Sequence, residues 1–174
     1  MKDFGLVHIY TGEGKGKTTA AMGLTLRAVG REASVCLVQF MKSSETGELL
    51  SLAKFPRVTI LRSSEKLGFS FHLDEEGKAK LKTINNGLLK TAIEQVGNYD
   101  LLILDEVICA YAFGYLDKDM LFRFLKTKPN HLEVVLTGRG APDELIALAD
   151  YVSEIRKVKH PYDRKIAARY GIEK

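Results

Sequence analysis

Cysteine and histidine are scarce in this chain of 174 residues, and long apolar runs are missing altogether. The two cysteines, Cys36 in an apolar run and Cys109 after an acidic pair, lack the spacing of a metal knuckle or a redox pair, so both are expected to be reduced, largely buried thiols. His8, His72, His131 and His160 show no HxxxH or HxxH pairing, which argues against a transition-metal centre made by the protein alone. No segment approaches the length needed to span a bilayer. The opening Met1-Lys2-Asp3-Phe4 lacks the apolar stretch of a signal peptide, so a cytoplasmic protein without a membrane partner is expected. Neither sign of charge dominates: the net charge of +4 suits anionic small molecules as well as nucleic acid, and does not choose between them. Internal repeats and low-complexity linkers are also absent. One domain over 1–174 is therefore expected, large enough to build a core without disulfide or metal staples.

What is present is a glycine-rich run, Tyr10-Thr11-Gly12-Glu13-Gly14-Lys15-Gly16-Lys17-Thr18-Thr19, between a β-rich segment and a helical one. Glycines at 12, 14 and 16 remove the Cβ atoms that would stop backbone N–H groups from turning inward around a polyphosphate, and the following helix N-terminus adds positive potential. In such a loop Lys17 reaches the terminal phosphates and the Thr18 hydroxyl ligates Mg²⁺. The usual pattern has glycine four residues before Gly-Lys-Thr; here that place is Thr11, so the run is a close variant. The competing reading is a glycine-rich turn with two solvated lysines, which the strand-loop-helix context disfavours.

Along the chain, 6–10 reads as a strand ending at the loop and 18–29 as a helix closed by Gly30. The nearly continuous apolar run 34–40 fits a parallel strand covered on both faces. A polar loop at 41–46, a short helix over 47–54 and a strand at 58–61 make a second crossover. Residues 62–73 lack periodicity and carry Leu67, Phe69 and Phe71 among glycine and serines, as a functional loop would. Leu81, Ile84, Leu88, Ala92 and Val96 recur at helical spacing, predicting a long amphipathic helix from Asp74 to about Gly97. Strands are predicted at 101–104 and 132–137, a helix at 143–149 and an alternating edge strand at 151–158. This order specifies an α/β fold: a mostly parallel sheet with helices on both faces, and ligands at the carboxyl ends of its strands.

Asp105-Glu106 closes an apolar strand, where a phosphate loop needs carboxylate oxygen to complete the shell of nucleotide-bound Mg²⁺. Alone, such a pair is more often a helix N-terminal signal; beside a glycine loop the metal reading gains. Thr137-Gly138-Arg139-Gly140 at another strand end either brings the Arg139 guanidinium to phosphate or forms a capping turn before Pro142. Phe69 and Phe71 either stack on a flat ligand or pack on the domain. Lysines 78, 80 and 82 are read as the solvated side of their helix. These residues lead to a Mg²⁺-nucleotide site without naming the acceptor: hydrolysis, phosphoryl transfer and attack on the ribose carbon all begin with the same clamp.

The chain resembles the P-loop class of ATP:corrinoid adenosyltransferases over nearly its whole length. The ordered set that carries the resemblance is G-E-G-K-G-K-T-T-A-A at 12–21, V-Q-F-M-K at 38–42, G-F-S-F at 68–71, L-D-E at 104–106, A-Y-A-F-G-Y-L at 110–116, T-G-R-G at 137–140, L-A-D-Y-V-S-E at 148–154 and V-K-H-P-Y at 158–162. The resemblance implies a three-layer P-loop NTPase-like domain. It also implies a reaction in which a reduced Co(I) corrinoid attacks the 5′ carbon of ATP and expels intact triphosphate, in adenosylcobalamin synthesis or salvage. ATP would be held by Gly12, Glu13, Gly14, Lys15, Gly16, Lys17, Thr18, Thr19, Lys42 and Arg139, and Mg²⁺ or Mn²⁺ by Thr18, Asp105 and Glu106. Lys17, Thr18 and Glu106 would act on the reaction itself. Phe69 and Phe71 would lie beneath the corrin, displace its lower axial ligand and ease reduction of cobalt(II). The family's segment is G-F-T-W, whereas this chain contains no tryptophan and has Phe71 there. Missing too is the Asp-x-His-x-x-Gly pattern by which other corrinoid proteins supply a histidine to cobalt, as suits a protein that makes the cofactor. Several relatives carry an N-terminal extension of some twenty residues over the active site, and this chain starts almost at its first strand. A reductase supplying Co(I) and a homodimer are further implications, and nucleic acid is not an expected partner. The alternatives are a P-loop ATPase or small-molecule kinase, with Glu106 orienting water or an acceptor hydroxyl, and a nucleotide-dependent corrinoid-binding module.

Overall fold

The structure, a computed structural model, describes residues 4–42, 46–65 and 73–173. These form a parallel sheet of six strands: β1 (Val7–Thr11), β2 (Val35–Gln39), β3 (Val58–Arg62), β4 (Leu101–Asp105), β5 (Glu133–Thr137) and β6 (Tyr151–Glu154), in the order β3-β2-β4-β5-β1-β6. Two helices, α1 (Lys17–Val29) and α2 (Gly47–Leu52), cover one face. On the other lie α3 (Glu75–Gln95), α4 (Val107–Ala112), α5 (Lys118–Thr127) and α6 (Asp143–Ile146). Among the described residues no helix is long and apolar enough to cross a membrane.

Alternation along the central strands divides the core between the two layers. Val35 and Leu37 of β2, with Leu101 and Ile103 of β4, face α1 and α2, while Cys36, Val38, Leu102 and Leu104 face the other layer. The register aligns Leu37 with Ile103 and Ile103 with Val135, then Gln39 with Asp105 at the carboxyl end. Because neighbours in register share a face, the apolar rungs end in a polar one, Gln39, Asp105 and Thr137, all buried and directed to the α1 side.

The predicted strands and the helices over 18–29, 47–54 and 74–97 are present, with ends shifted by a few residues. Asp74 caps α3 by accepting from Gly77 N at 2.9 Å, and Glu75 and Glu76 favour its first turn. The buried line of α3 is Leu81, Asn85, Leu89 and Ala92, rotated from the predicted stripe, which leaves Ile84, Leu88 and Val96 half-buried. The reason is polar: Asn85 Nδ2 donates to Tyr115 O at 2.9 Å, and Asn86 Oδ1 accepts from Asp117 N at 2.7 Å, so adjacent asparagines fasten the α4–α5 connection. The predicted edge strand ends at Glu154, and all of its residues are exposed instead of alternating. Neither α4 nor α5 is among the predicted helices. α5 carried a usable signal in Asp117, whose carboxylate accepts from Met120 N, and in the Leu121, Phe124, Leu125 spacing.

Candidate functional site

The glycine loop lies at the carboxyl end of β1, where the chain turns into α1. Thr11 occupies the place of the usual first glycine because it is still the last strand residue, and its carbonyl accepts from Ile155 N at 2.8 Å. Gly12 follows with φ +100°, and a Cβ there would stand 2.6 Å from Ile155 O, so the loop is pressed against the segment leaving β6. Gly14 N donates to the same carbonyl at 2.7 Å. Part of the glycine requirement therefore comes from this packing and not from phosphate alone. Gly16 starts α1 at φ +125°, a conformation that L side chains rarely adopt.

Lys17 folds back over its own loop, with Nζ donating to Gly12 O at 2.6 Å and Gly14 O at 2.8 Å. Burial, and then the Arg139 guanidinium, lower its pKa from the ordinary lysine value. Next to it Thr18 Oγ1 donates to Asp105 Oδ1 at 2.8 Å. Both Asp105 oxygens are heavily used: Oδ1 accepts also from Thr137 Oγ1 at 2.8 Å, and Oδ2 from Lys42 Nζ at 2.8 Å and Gln39 Nε2 at 3.3 Å. Burial would lower the Lys42 pKa, but Asp105 and Glu106 outweigh it and leave the ammonium raised. Glu106 has φ +62°, unusual for a residue with a Cβ, and its N–H donates to Thr137 Oγ1 at 2.9 Å. Thr137 thus locks Asp105 and the left-handed Glu106 in one arrangement.

Arg139 stands on the same rim. Its NH1 donates to Glu13 Oε2 at 2.9 Å, both side chains being exposed, and its N–H donates to Cys109 Sγ. The turn itself is fixed by packing, since Gly138 lies so close to α4 that a Cβ would meet Ile108 Cβ at 2.7 Å. Lys15 pairs with Glu173 at 3.6 Å. Cys36 is fully buried, as expected, whereas Cys109 is half-buried beside the site; burial and the Glu106 carboxylate push its thiol up to about 11.

A cavity of about 860 Å³ joins these groups, with Glu13 to Thr19, Lys42, Glu106 and Arg139 in its wall. The predicted site residues among the described ones line this cavity or, for Gly12 and Asp105, bond directly to its lining. Phe69 and Phe71 lie outside the described residues. Missed by sequence reasoning are Thr46, Glu48 and Ser51, which cap or lie on α2, and His160, Ile172 and Glu173 after β6. The helical pattern of 47–54 gave no hint that its polar side faces the loop. His160 was visible only inside the V-K-H-P-Y motif.

Among the described residues no group of three His, Cys, Asp or Glu could hold a metal by itself. Thr18 Oγ1 and the carboxylates of Asp105 and Glu106 are nevertheless hard oxygen donors of the kind Mg²⁺ takes alongside phosphate and water. Gln39 Oε1, buried beside Asp105 without a donor among the described residues, is an acceptor that a hydrated cation could serve. The residues present fit a divalent ion shared with a nucleotide.

The family model for ATP:corrinoid adenosyltransferase BtuR/CobO/CobP matches residues 3–173. The corrinoid adenosyltransferase CobA of Salmonella typhimurium LT2 is 33% identical over 176 residues, covering 99% of this chain and 87% of the relative. That of Escherichia coli K12 is 31% identical, covering 97% and 85%. In fold, the flagellar accessory protein FlaH from Methanocaldococcus jannaschii matches with TM-score 0.54 at 16% identity, over 86% of this chain and 70% of that one. ATPases 2 and 3 of EssC from Geobacillus thermodenitrificans match with TM-score 0.51 at 15% identity, over 98% and 35%. The sheet is thus P-loop NTPase-like.

Proposed function

The chain belongs to the ATP:corrinoid adenosyltransferase family, and we propose that it transfers the 5′-deoxyadenosyl group of ATP to the cobalt of a reduced corrinoid, releasing triphosphate. The observation that carries the nucleotide half is the 2.8 Å hydrogen bond from Thr18 to Asp105, which unites the glycine loop and the acidic strand end at one cavity.

In this reaction the electron pair of Co(I) forms the bond to the 5′ carbon, the bond from that carbon to oxygen breaks, and its pair leaves on the triphosphate. Cobalt is formally oxidised by two electrons. Negative charge grows on the departing group, so the protein's task is to hold and neutralise a leaving group, not to expose the γ-phosphorus to water. Lys17 does this by exchanging the carbonyls of Gly12 and Gly14 for phosphate oxygens. Arg139 reaches the same charge by releasing Glu13, an exposed pair that costs little to open, and Lys15 by leaving Glu173, which keeps its bonds from Arg169. The amide of Gly14 does not take part while it bonds Ile155, which leaves the amides nearer α1 to face the nucleotide. Mg²⁺ or Mn²⁺, held by Thr18, Asp105 and Glu106, would add positive charge for the triphosphate. Lys42 balances Asp105 and Glu106 at 2.8 and 3.6 Å.

Phe69 and Phe71, outside the described residues, are assigned to the corrin face by the family motif alone. On this account Phe71→Ala chiefly impairs handling of cobalt(II). A reductase supplies the Co(I) state, and a homodimer is the working assembly. Anaerobic incubation with ATP, Mg²⁺ and chemically reduced cobalamin tests the proposal: a light-sensitive adenosylcobalamin spectrum supports it, and release of phosphate or ADP independent of corrinoid marks an ATPase instead.

A further inference from the structure

The three side chains that fit a divalent cation converge on a cation the chain already carries. Lys42 Nζ lies 2.8 Å from Asp105 Oδ2, 3.2 Å from Thr18 Oγ1 and 3.6 Å from Glu106 Oε1. Asp105 has no exposed surface, and it is followed directly by a second carboxylate, an arrangement in which a neighbouring cation offsets the cost of burial.

We propose that Lys42 is a stand-in for the metal: its ammonium occupies the Thr18, Asp105 and Glu106 oxygens in the nucleotide-free protein and is exchanged for the divalent ion when a metal-nucleotide complex enters. This rests on the reading of those oxygens as the metal's donors. The exchange follows from charge. A divalent ion arriving alone must enter against an ammonium already in contact with the same oxygens, and at that separation the repulsion is large in a partly buried setting. A metal arriving with triphosphate brings phosphate oxygens that accept the displaced ammonium. Lys42 can make this move because its side chain is 30% exposed and lines the same cavity as Lys17 and Thr18, so the core need not rearrange. Metal and nucleotide therefore bind together, and Lys42 moves from holding the empty site to neutralising the leaving group.

Titration of Mn²⁺ into the nucleotide-free protein, with the free ion followed by its EPR signal, tests this directly. Wild type and Lys42→Arg should bind Mn²⁺ weakly, and Lys42→Met about tenfold or more tightly. Lys42→Gln, whose amide can still donate to Asp105, is made in parallel with the same expectation, so that loss of fold in one variant does not decide the matter. Asp105→Asn added to the neutral variant should remove the gain. Neutral variants that bind Mn²⁺ no better than wild type, while wild type takes up Mn²⁺ with ATP in an Asp105-dependent way, overturn the exchange and leave the metal site standing. A gain that survives Asp105→Asn overturns the assignment of the site itself.

Discussion

Thr18 and Asp105, 87 positions apart in the chain, are joined by a 2.8 Å hydrogen bond, Oγ1 to Oδ1, at the mouth of the sheet. Asp105 accepts on both oxygens, from hydroxyls on one and from an ammonium and an amide on the other. An asparagine cannot replace it, because one end of its amide would present N–H to donors. Asp105→Asn is predicted to weaken ATP binding about tenfold or more in the presence of Mg²⁺ and much less in EDTA. Calorimetric titration under both conditions checks this, and equal weakening in both would remove the metal from the account.

Among the described residues the Lys17 ammonium donates to two backbone carbonyls, both of its own loop. It is free to transfer its bonds to phosphate without breaking a fold contact elsewhere. Lys17→Ala should cost on the order of 10²-fold or more in turnover, as expected for loss of one electrostatic donor, while corrinoid binding survives. Steady-state rates with corrinoid affinity measured alongside separate this from unfolding, in which both are lost.

Gly12 is fixed by packing and by backbone conformation together, with φ +100° and Ile155 O 2.6 Å from the place of a Cβ. Gly12→Ala is expected to destabilise the fold by about 2 kcal/mol even without nucleotide. Gly16→Ala meets no atom within 4 Å, so it is strained only by its φ of +125° and should cost less. Thermal unfolding of the two apo variants checks the order.

The buried thiols make a prediction at alkaline pH. Burial holds Cys36 up at about 12, and burial with the Glu106 carboxylate holds Cys109 at about 11, against an ordinary 9.0. The unfolded chain loses these protons first, so the contribution of the thiols to stability is level below pH 9, falls from pH 9 upward, and stops falling above about 11 for Cys109 and 12 for Cys36. The slope is roughly 1.4 kcal/mol per pH unit for each fully titrating group. Cys36→Val should flatten the fall between pH 9 and 10 in urea unfolding; an unchanged slope would show that Cys36 does not contribute.

Much of this was legible in the residues because the signals were local. A glycine loop between a strand and a helix, an acidic pair after an apolar strand and a T-G-R-G turn each announce a strand end, and the parallel register brings the ends together. What was not legible depends on distant pairing. Asn85 broke the apolar stripe of α3 because its partner, Tyr115 O, lies 30 positions away. Thr137 gave no sign that it would bond both Asp105 and Glu106. The edge position of β6 was legible, but its apolar alternation promised one covered face, whereas all four of its residues are exposed.

The central claim is that the cradle holds a leaving triphosphate. Phosphorus NMR of the anaerobic reaction, read against adenosylcobalamin formed, tests it most directly. The account predicts one intact triphosphate for each cobalt-carbon bond; ADP and phosphate accumulating without that bond would contradict it.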